Sequence, residues 1–235
     1  KDFDAVALLA NFVIDRHHKD LPKTVDGYLE LFKRIMKMQI DLISKWLSVG
    51  FIHGVMNTDN TAISGETIDF GPCAFMEEYN PLMVFSSIDK QGRYAYGRQP
   101  SILKWNLSVL GHCFLTLVDP DIKTAEGKIE AVLNEFDSLF QNQWLSDTAK
   151  KFGLKNGLPE DTPLFENFFN WMLENKYDFT LSFRFLSRCL VADETTLLEI
   201  KKNFNIDYTS KVFENWFLLW KDKVKARVNA EKLNL

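Results

Sequence analysis

The sequence predicts a mainly helical fold on three observations: wide apolar stripes at helical spacing, one short β-like interval, and turn signals that otherwise fall between helix-length segments. In chain order, Val6, Leu8, Leu9, Phe12, Val13 and Ile14 recur at helical spacing between Ala5 and His17, and the pattern stops before Pro22. Tyr28, Leu31, Phe32, Ile35, Met36, Met38, Leu42, Ile43, Trp46 and Leu47 form a broader stripe, so that this second helix is expected to be largely buried and to end at Gly50. After Phe51 the character changes. Thr61-Ala-Ile-Ser64 and Glu66-Thr-Ile-Asp-Phe70 read as a small β-hairpin with its turn at Ser64-Gly65-Glu66. Turn signals then repeat from Gly71 to Pro100, predicting a long ordered loop of the kind that carries function. From Ser101 onward helices are expected at 101–117, 122–145, 161–175, 178–191, 194–203 and 208–229. The aromatic crowding between Phe165 and Trp220 reads as core packing among amphipathic helices rather than as a ligand surface.

With 235 residues and 46% hydrophobic content, the chain can bury a real core, and a single helical unit over 1–235 is expected. Lys and Arg number 28 against 32 Asp and Glu, a net charge of −4, and no basic stripe runs along the sequence, so nucleic acid is not an expected partner. Cys73, Cys113 and Cys189 lie far apart without metal-like spacing, which points neither to a zinc site nor to a disulfide framework and fits a reducing compartment. No run of roughly 18 uncharged apolar residues is present, so no membrane span is expected, and Lys1-Asp-Phe-Asp4 is not a signal peptide.

The residues that can carry chemistry are Asp59, Asn60 and Asp69. A hairpin with strands of about four residues would return Asp69 to the side of Asn60, where a carboxylate and a carboxamide oxygen make hard ligands suited to Mg2+ with nucleotide phosphates completing the shell. On spacing alone, Asp59 and Asn60 as turn residues and Asp69 as an exposed strand charge explain the pattern more simply.

The frame resembles that of protein kinases, whose catalytic loop runs from His to Asn over eight residues and is followed by Asp-Phe-Gly. Here His53 and Asn60 match its ends, and Asp69-Phe70-Gly71 supplies the second motif. Gly54 and Val55 stand where that loop has Arg and its Asp base, so an ordinary kinase mechanism is not expected. The wording His53-Gly-Val-Met-Asn-Thr-Asp-Asn60 with Thr67-Ile-Asp-Phe-Gly-Pro72 is similar to the signature of the selenoprotein O family (SelO/YdiU), supported by Leu8 to His17, Gly92-Arg-Tyr94, Gln99-Pro100 and Trp105-Asn-Leu107. The resemblance implies a kinase-like C-terminal lobe and transfer of AMP from ATP to Ser, Thr or Tyr hydroxyls of proteins. Carried over by position, it implies Asp59 as proton acceptor, with Asn60 and Asp69 holding Mg2+, or Mn2+ in its place, and through it the phosphates of ATP. His53 reads as a packing and hydrogen-bonding residue, while Arg93 and Arg98 have no motif behind them.

No glycine-rich phosphate loop is present, and the chain ends at Asn234-Leu235 without a nearby thiol, so the expectation is a piece of a longer protein, inactive alone and exposing an apolar face. A hydroxyl-directed phosphotransferase and a nonenzymatic helical scaffold are the competing readings. The expected location is the bacterial cytoplasm, or mitochondria if the source is eukaryotic.

Overall fold

Thr24 and Gly50 set the limits of the longest element. The Thr24 side chain accepts the Gly27 N–H at 3.4 Å, and Gly50, at φ 73°, takes the left-handed turn that closes the helix. A computed structural model describes residues 3–191 and 210–233. In order these form α1 (Phe3–His17), α2 (Val25–Val49), β1 (Phe51–Ile52), β2 (Ala74–Phe75), α3 (Gln99–Val118), α4 (Ile122–Asn134), α5 (Phe136–Lys151), α6 (Thr162–Asn175), α7 (Phe179–Val191) and α8 (Lys211–Leu233). The expected helix at 194–203 lies outside the described residues.

The fold is mainly helical, as the stripes predict, with one small antiparallel sheet that pairs Phe51 with Phe75 and Ile52 with Ala74. The sheet is not formed by the predicted hairpin partners. Residues 61–70 form no strand, because Gly65 turns early, its N–H bonded to the Ala62 carbonyl at 3.0 Å, and the buried Gln39 takes the Ala62 oxygen that a ladder would need. The pairing moves outward, to the residues flanking the whole 53–73 segment.

The expected helix over 122–145 is also divided, at Glu135. Neither Gly nor Pro marks the break. α4 packs on α3 whereas α5 packs on α2, so the chain must change direction between them, and Phe136 is buried where it does so.

Two hydrophobic clusters hold the described residues together. One gathers α1 to α4 around Phe32, Ile35, Leu103 and Phe114; the other gathers α5 to α8 around Phe152, Phe165, Phe185 and Trp220, which makes the aromatic crowding core, as expected. β1 stands between them. Successive strand residues point to opposite faces, and accordingly Phe51 enters the first cluster and Ile52 the second. The site segment thus begins at the junction of both cores.

α3 is long and apolar enough, by length and composition, to cross a bilayer, which the sequence reading did not anticipate. It lies between α1, α2 and α4, and buries Gln99 and Asn106 in hydrogen bonds to neighbouring segments, the setting of a central core helix. An apolar outer face is present on α1, where Leu8, Leu9 and Phe12 are exposed, and Phe70 and Phe75 are exposed beside the site.

Candidate functional site

Two segments leave β1 and enter β2, and the strand pairing brings their ends together. The first, 53–60, turns at Gly54, whose φ of 84° is open to glycine and strained for other residues. A Cβ at that position would stand 2.9 Å from the Pro72 ring, so the turn packs directly against the residue that follows Asp69-Phe-Gly71.

His53 fastens the two segments to each other. Its ring is fully buried and stacks on Trp46 at a centroid distance of 5.3 Å. Nε2 lies 2.8 Å from the Ile68 carbonyl oxygen, to which it must donate, and Nδ1 accepts the Val55 N–H at 3.4 Å. Trp46 in turn donates its indole N–H to Thr67 Oγ1 at 2.9 Å. The expectation of a packing role for His53 holds.

From α3, two buried amides support the first segment. Gln99 donates Nε2 to the Phe51 carbonyl at 3.0 Å and accepts the His53 N–H at 3.1 Å, as a neighbouring strand would. Asn106 donates Nδ2 to the Met56 carbonyl at 3.1 Å and to Thr61 Oγ1 at 2.8 Å. Sequence reasoning gave neither residue a role. The signal was available: two carboxamides seven residues apart on one face of an otherwise apolar helix must find partners when buried.

The supported loop closes in a single 3-10 turn, Thr58–Asn60, with the Asn60 N–H bonded to the Asn57 carbonyl at 3.0 Å. Asn60 Nδ2 donates to the Val55 carbonyl at 3.2 Å, which fixes the carboxamide and leaves its oxygen available. Asp59 is exposed on the same turn, and no hydrogen bond or ion pair among the described residues engages its carboxylate. Asp69 is also exposed, and it takes φ 54°, a left-handed conformation uncommon for a residue with a side chain. Its carbonyl accepts the Gly71 N–H at 2.8 Å, a tight turn centred on Phe70 that holds this conformation.

The segments that carry Asn60 and Asp69 are linked through the chain of contacts Asn60–Val55–His53–Ile68, with no hydrogen bond joining the two residues directly among the described residues. The predicted hairpin is replaced by a buried imidazole as the device that relates them. Among the described residues no three His, Cys, Asp or Glu side chains gather as a metal cage. Asn60 and Asp69 each carry a hard oxygen donor of the type that Mg2+ takes.

Tyr94 adds a contact that sequence reasoning missed, donating its hydroxyl to Asn57 Oδ1 at 2.5 Å and so tying the 76–98 loop to the turn that carries Asp59. Arg98 is occupied with the Gln91 and Gly92 carbonyls. Glu77 and Glu78 belong to the join with α7, where Phe179 N–H bonds the Glu77 carbonyl and Glu78 bridges to Asp178.

A family model described as "Protein adenylyltransferase SelO" matches residues 1–234. The chain is 48% identical over 193 residues to "Protein nucleotidyltransferase YdiU" of Agrobacterium fabrum (82% of this chain and 40% of that protein). It is 44% identical over 231 residues to the protein of the same name from Maridesulfovibrio salexigens (98% of this chain, 45% of that one). For the Rhizobium etli protein the figures are 44% over 223 residues, 95% and 44%. The chain thus spans less than half the length of these curated relatives.

Proposed function

The chain belongs to the protein adenylyltransferase SelO family, and from that premise we propose that, within the full-length protein, it supplies the acid–base and metal-holding half of a centre that transfers AMP from Mg2+-bound ATP to Ser, Thr or Tyr hydroxyls of proteins. The observation that carries this reading is the disposition of three side chains, Asp59, Asn60 and Asp69, whose oxygens no hydrogen bond among the described residues engages, on two segments that His53 joins while Val55 occupies the position of a kinase base. Bound there, Mg2+ would neutralise charge on the phosphates and orient them.

The residues of the chain then divide the work. Asn60 and Asp69 hold the metal-bound nucleotide, and their positions are fixed by Val55, Ile68 and the His53 ring. Asp59, exposed and unengaged, accepts the proton of the attacking hydroxyl. The hydroxyl oxygen bonds to the α-phosphorus, the bond from that phosphorus to the bridging oxygen breaks, and pyrophosphate leaves. Val55 cannot accept a proton, which supports a base at Asp59 instead of the usual kinase position.

The test uses the full-length protein with ATP labelled either at the α- or at the γ-phosphate. Label from the α-position on acceptor protein is expected, with loss on Asp69→Ala. Transfer of γ-label alone would replace this reading with a phosphotransferase, and full transfer by Asp69→Ala would remove the metal role given to that residue.

A further inference from the structure

We propose that Arg93 is a docking cation for an acidic side chain of the acceptor protein, selecting hydroxyls that lie near Asp or Glu; this rests on the adenylyl-transfer reading above. The backbone around it is pinned, since the N–H groups of Arg93 and Tyr94 donate to the two Asp89 carboxylate oxygens at 2.8 Å each. Tyr94 then bonds Asn57 Oδ1, and the Asn57 carbonyl receives the Asn60 N–H. Arg93 is thereby held one residue from a direct contact with the turn that carries Asp59 and Asn60.

The side chain is oriented as well as placed. The guanidinium carbon lies 4.9 Å from the Trp105 ring centroid and 5.8 Å from that of Tyr94. A guanidinium held against aromatic rings keeps N–H groups that can meet a carboxylate with two parallel hydrogen bonds. Arg93 is exposed, and the ion pairs among the described residues do not include it, although they do join neighbouring Lys104 to Asp137 at 2.7 Å. Arg98, a few residues on, spends its guanidinium on two backbone carbonyls instead.

Trp105, the platform for Arg93, also walls an open groove of about 590 Å3 with Pro100, Lys104, Ser108, Phe136 and Asp137, whose carboxylate is paired with Lys104. An extended acceptor segment lying in that groove would run along Trp105, the ring against which the guanidinium is held. An acidic side chain gains a charge-assisted contact there; a basic one meets repulsion.

The experiment offers the full-length protein two hydroxyl-containing peptide libraries, one with Glu and one with Lys fixed beside the hydroxyl, together with α-labelled ATP. The Glu library is expected to be preferred by about fivefold, the effect of an exposed ion pair near 1 kcal/mol. Arg93→Lys should keep part of that preference and Arg93→Glu should reverse it, through KM for peptide and without change in KM for ATP. Merely structural damage would lower both libraries alike. Equal labelling of the two libraries by the wild type, or an unchanged preference in Arg93→Glu, overturns the proposal while leaving adenylyl transfer intact. A changed KM for ATP with unchanged peptide preference also overturns it, assigning the guanidinium to the nucleotide. No α-label in any acceptor removes the transfer reading and this one with it.

Discussion

The His53 imidazole and the Ile68 carbonyl meet at 2.8 Å, and this one buried hydrogen bond relates the loop bearing Asp59 and Asn60 to the run that presents Asp69. Because the ring is also stacked on Trp46, it cannot rotate away without opening the core at the end of α2. The geometry of the site is therefore set from below, by packing, and not by contacts among the exposed carboxylates.

His53→Ala should accordingly damage both stability and transfer. It opens a cavity beside Trp46 and leaves the Ile68 carbonyl unpaired, costing about 2–4 kcal/mol. The urea midpoint of the isolated chain and α-label transfer by the full-length protein should fall together. Wild-type transfer in a variant shown to be destabilised would remove the linking role.

The three site residues should separate stability from function. Asp59 and Asp69 are exposed and unengaged among the described residues, so Asp59→Asn and Asp69→Asn should change folding stability by no more than about 0.5 kcal/mol. Asp69→Gly should be tolerated for a further reason, since glycine adopts φ 54° without strain. In the full-length protein, Asp69→Asn should weaken Mg2+·ATP binding in calorimetry, whereas Asp59→Asn should retain binding and lose transfer by roughly 10²–10⁴-fold. Loss of nucleotide binding in Asp59→Asn would move that residue into the metal shell.

Acid stability should depend on Asp161. This carboxylate is fully buried and pairs with Lys223 and, through both oxygens, with Arg227 at 2.7 and 2.8 Å. Burial pushes its pKa up, but the donors Lys223, the Leu158 N–H and Arg227 outweigh that and hold it below the usual carboxylate value. A depressed folded-state pKa gives stability that is present above about pH 4 and is lost as pH falls through the folded value. Asp161→Asn should flatten the acid limb of a denaturation-midpoint profile and cost about 3–5 kcal/mol at neutral pH, since two cations would lose their carboxylate. An unchanged acid limb would place the sensitivity elsewhere.

On the alkaline side Lys151 should act in the opposite sense. Burial pushes its pKa down to about 8, and its ammonium lies over the Phe183 and Phe179 rings, 4.2 and 5.0 Å from their centroids. Between about 8 and the ordinary lysine value near 10.4, the unfolded chain binds the extra proton, so this group makes stability rise with pH across that interval. Tyr79, pushed up to about 12 by burial, opposes it only above about pH 10. Lys151→Met should therefore raise the midpoint at pH 7 and erase the slope between pH 8 and 9; a persisting slope would assign it to another group.

Much of this was legible in the sequence, and the exceptions have physical reasons. The apolar stripe closed by Gly50 identifies α2 because capping and periodicity are local properties. The eight-residue frame from His53 to Asn60 is local too, and it folds as one loop closed by the Thr58–Asn60 turn. The hairpin was misplaced because β-like composition at 61–70 says nothing about partners, and Gln39, from a helix, claims the Ala62 carbonyl. The break at Glu135 was hidden because it follows from α4 and α5 packing on different helices. Tyr94 and Asn57 are 37 residues apart, and no local rule pairs them.

Gln99 provides the sharpest test that α3 builds the site. Its amide serves a donor and an acceptor at once, giving an N–H to Phe51 and receiving one from His53, where neither backbone group can reach water. Gln99→Glu keeps the shape and the acceptor but sets a carboxylate oxygen against the Phe51 carbonyl, and Gln99→Leu leaves both backbone groups unpaired. Each unpaired buried group costs about 1–3 kcal/mol, so Gln99→Leu should lose roughly 2–6 kcal/mol. Amide exchange should localise the effect, with the His53 N–H losing protection far more than the helical amides of α6. Protection retained at His53 in Gln99→Leu would mean that β1, and not α3, holds the start of the loop.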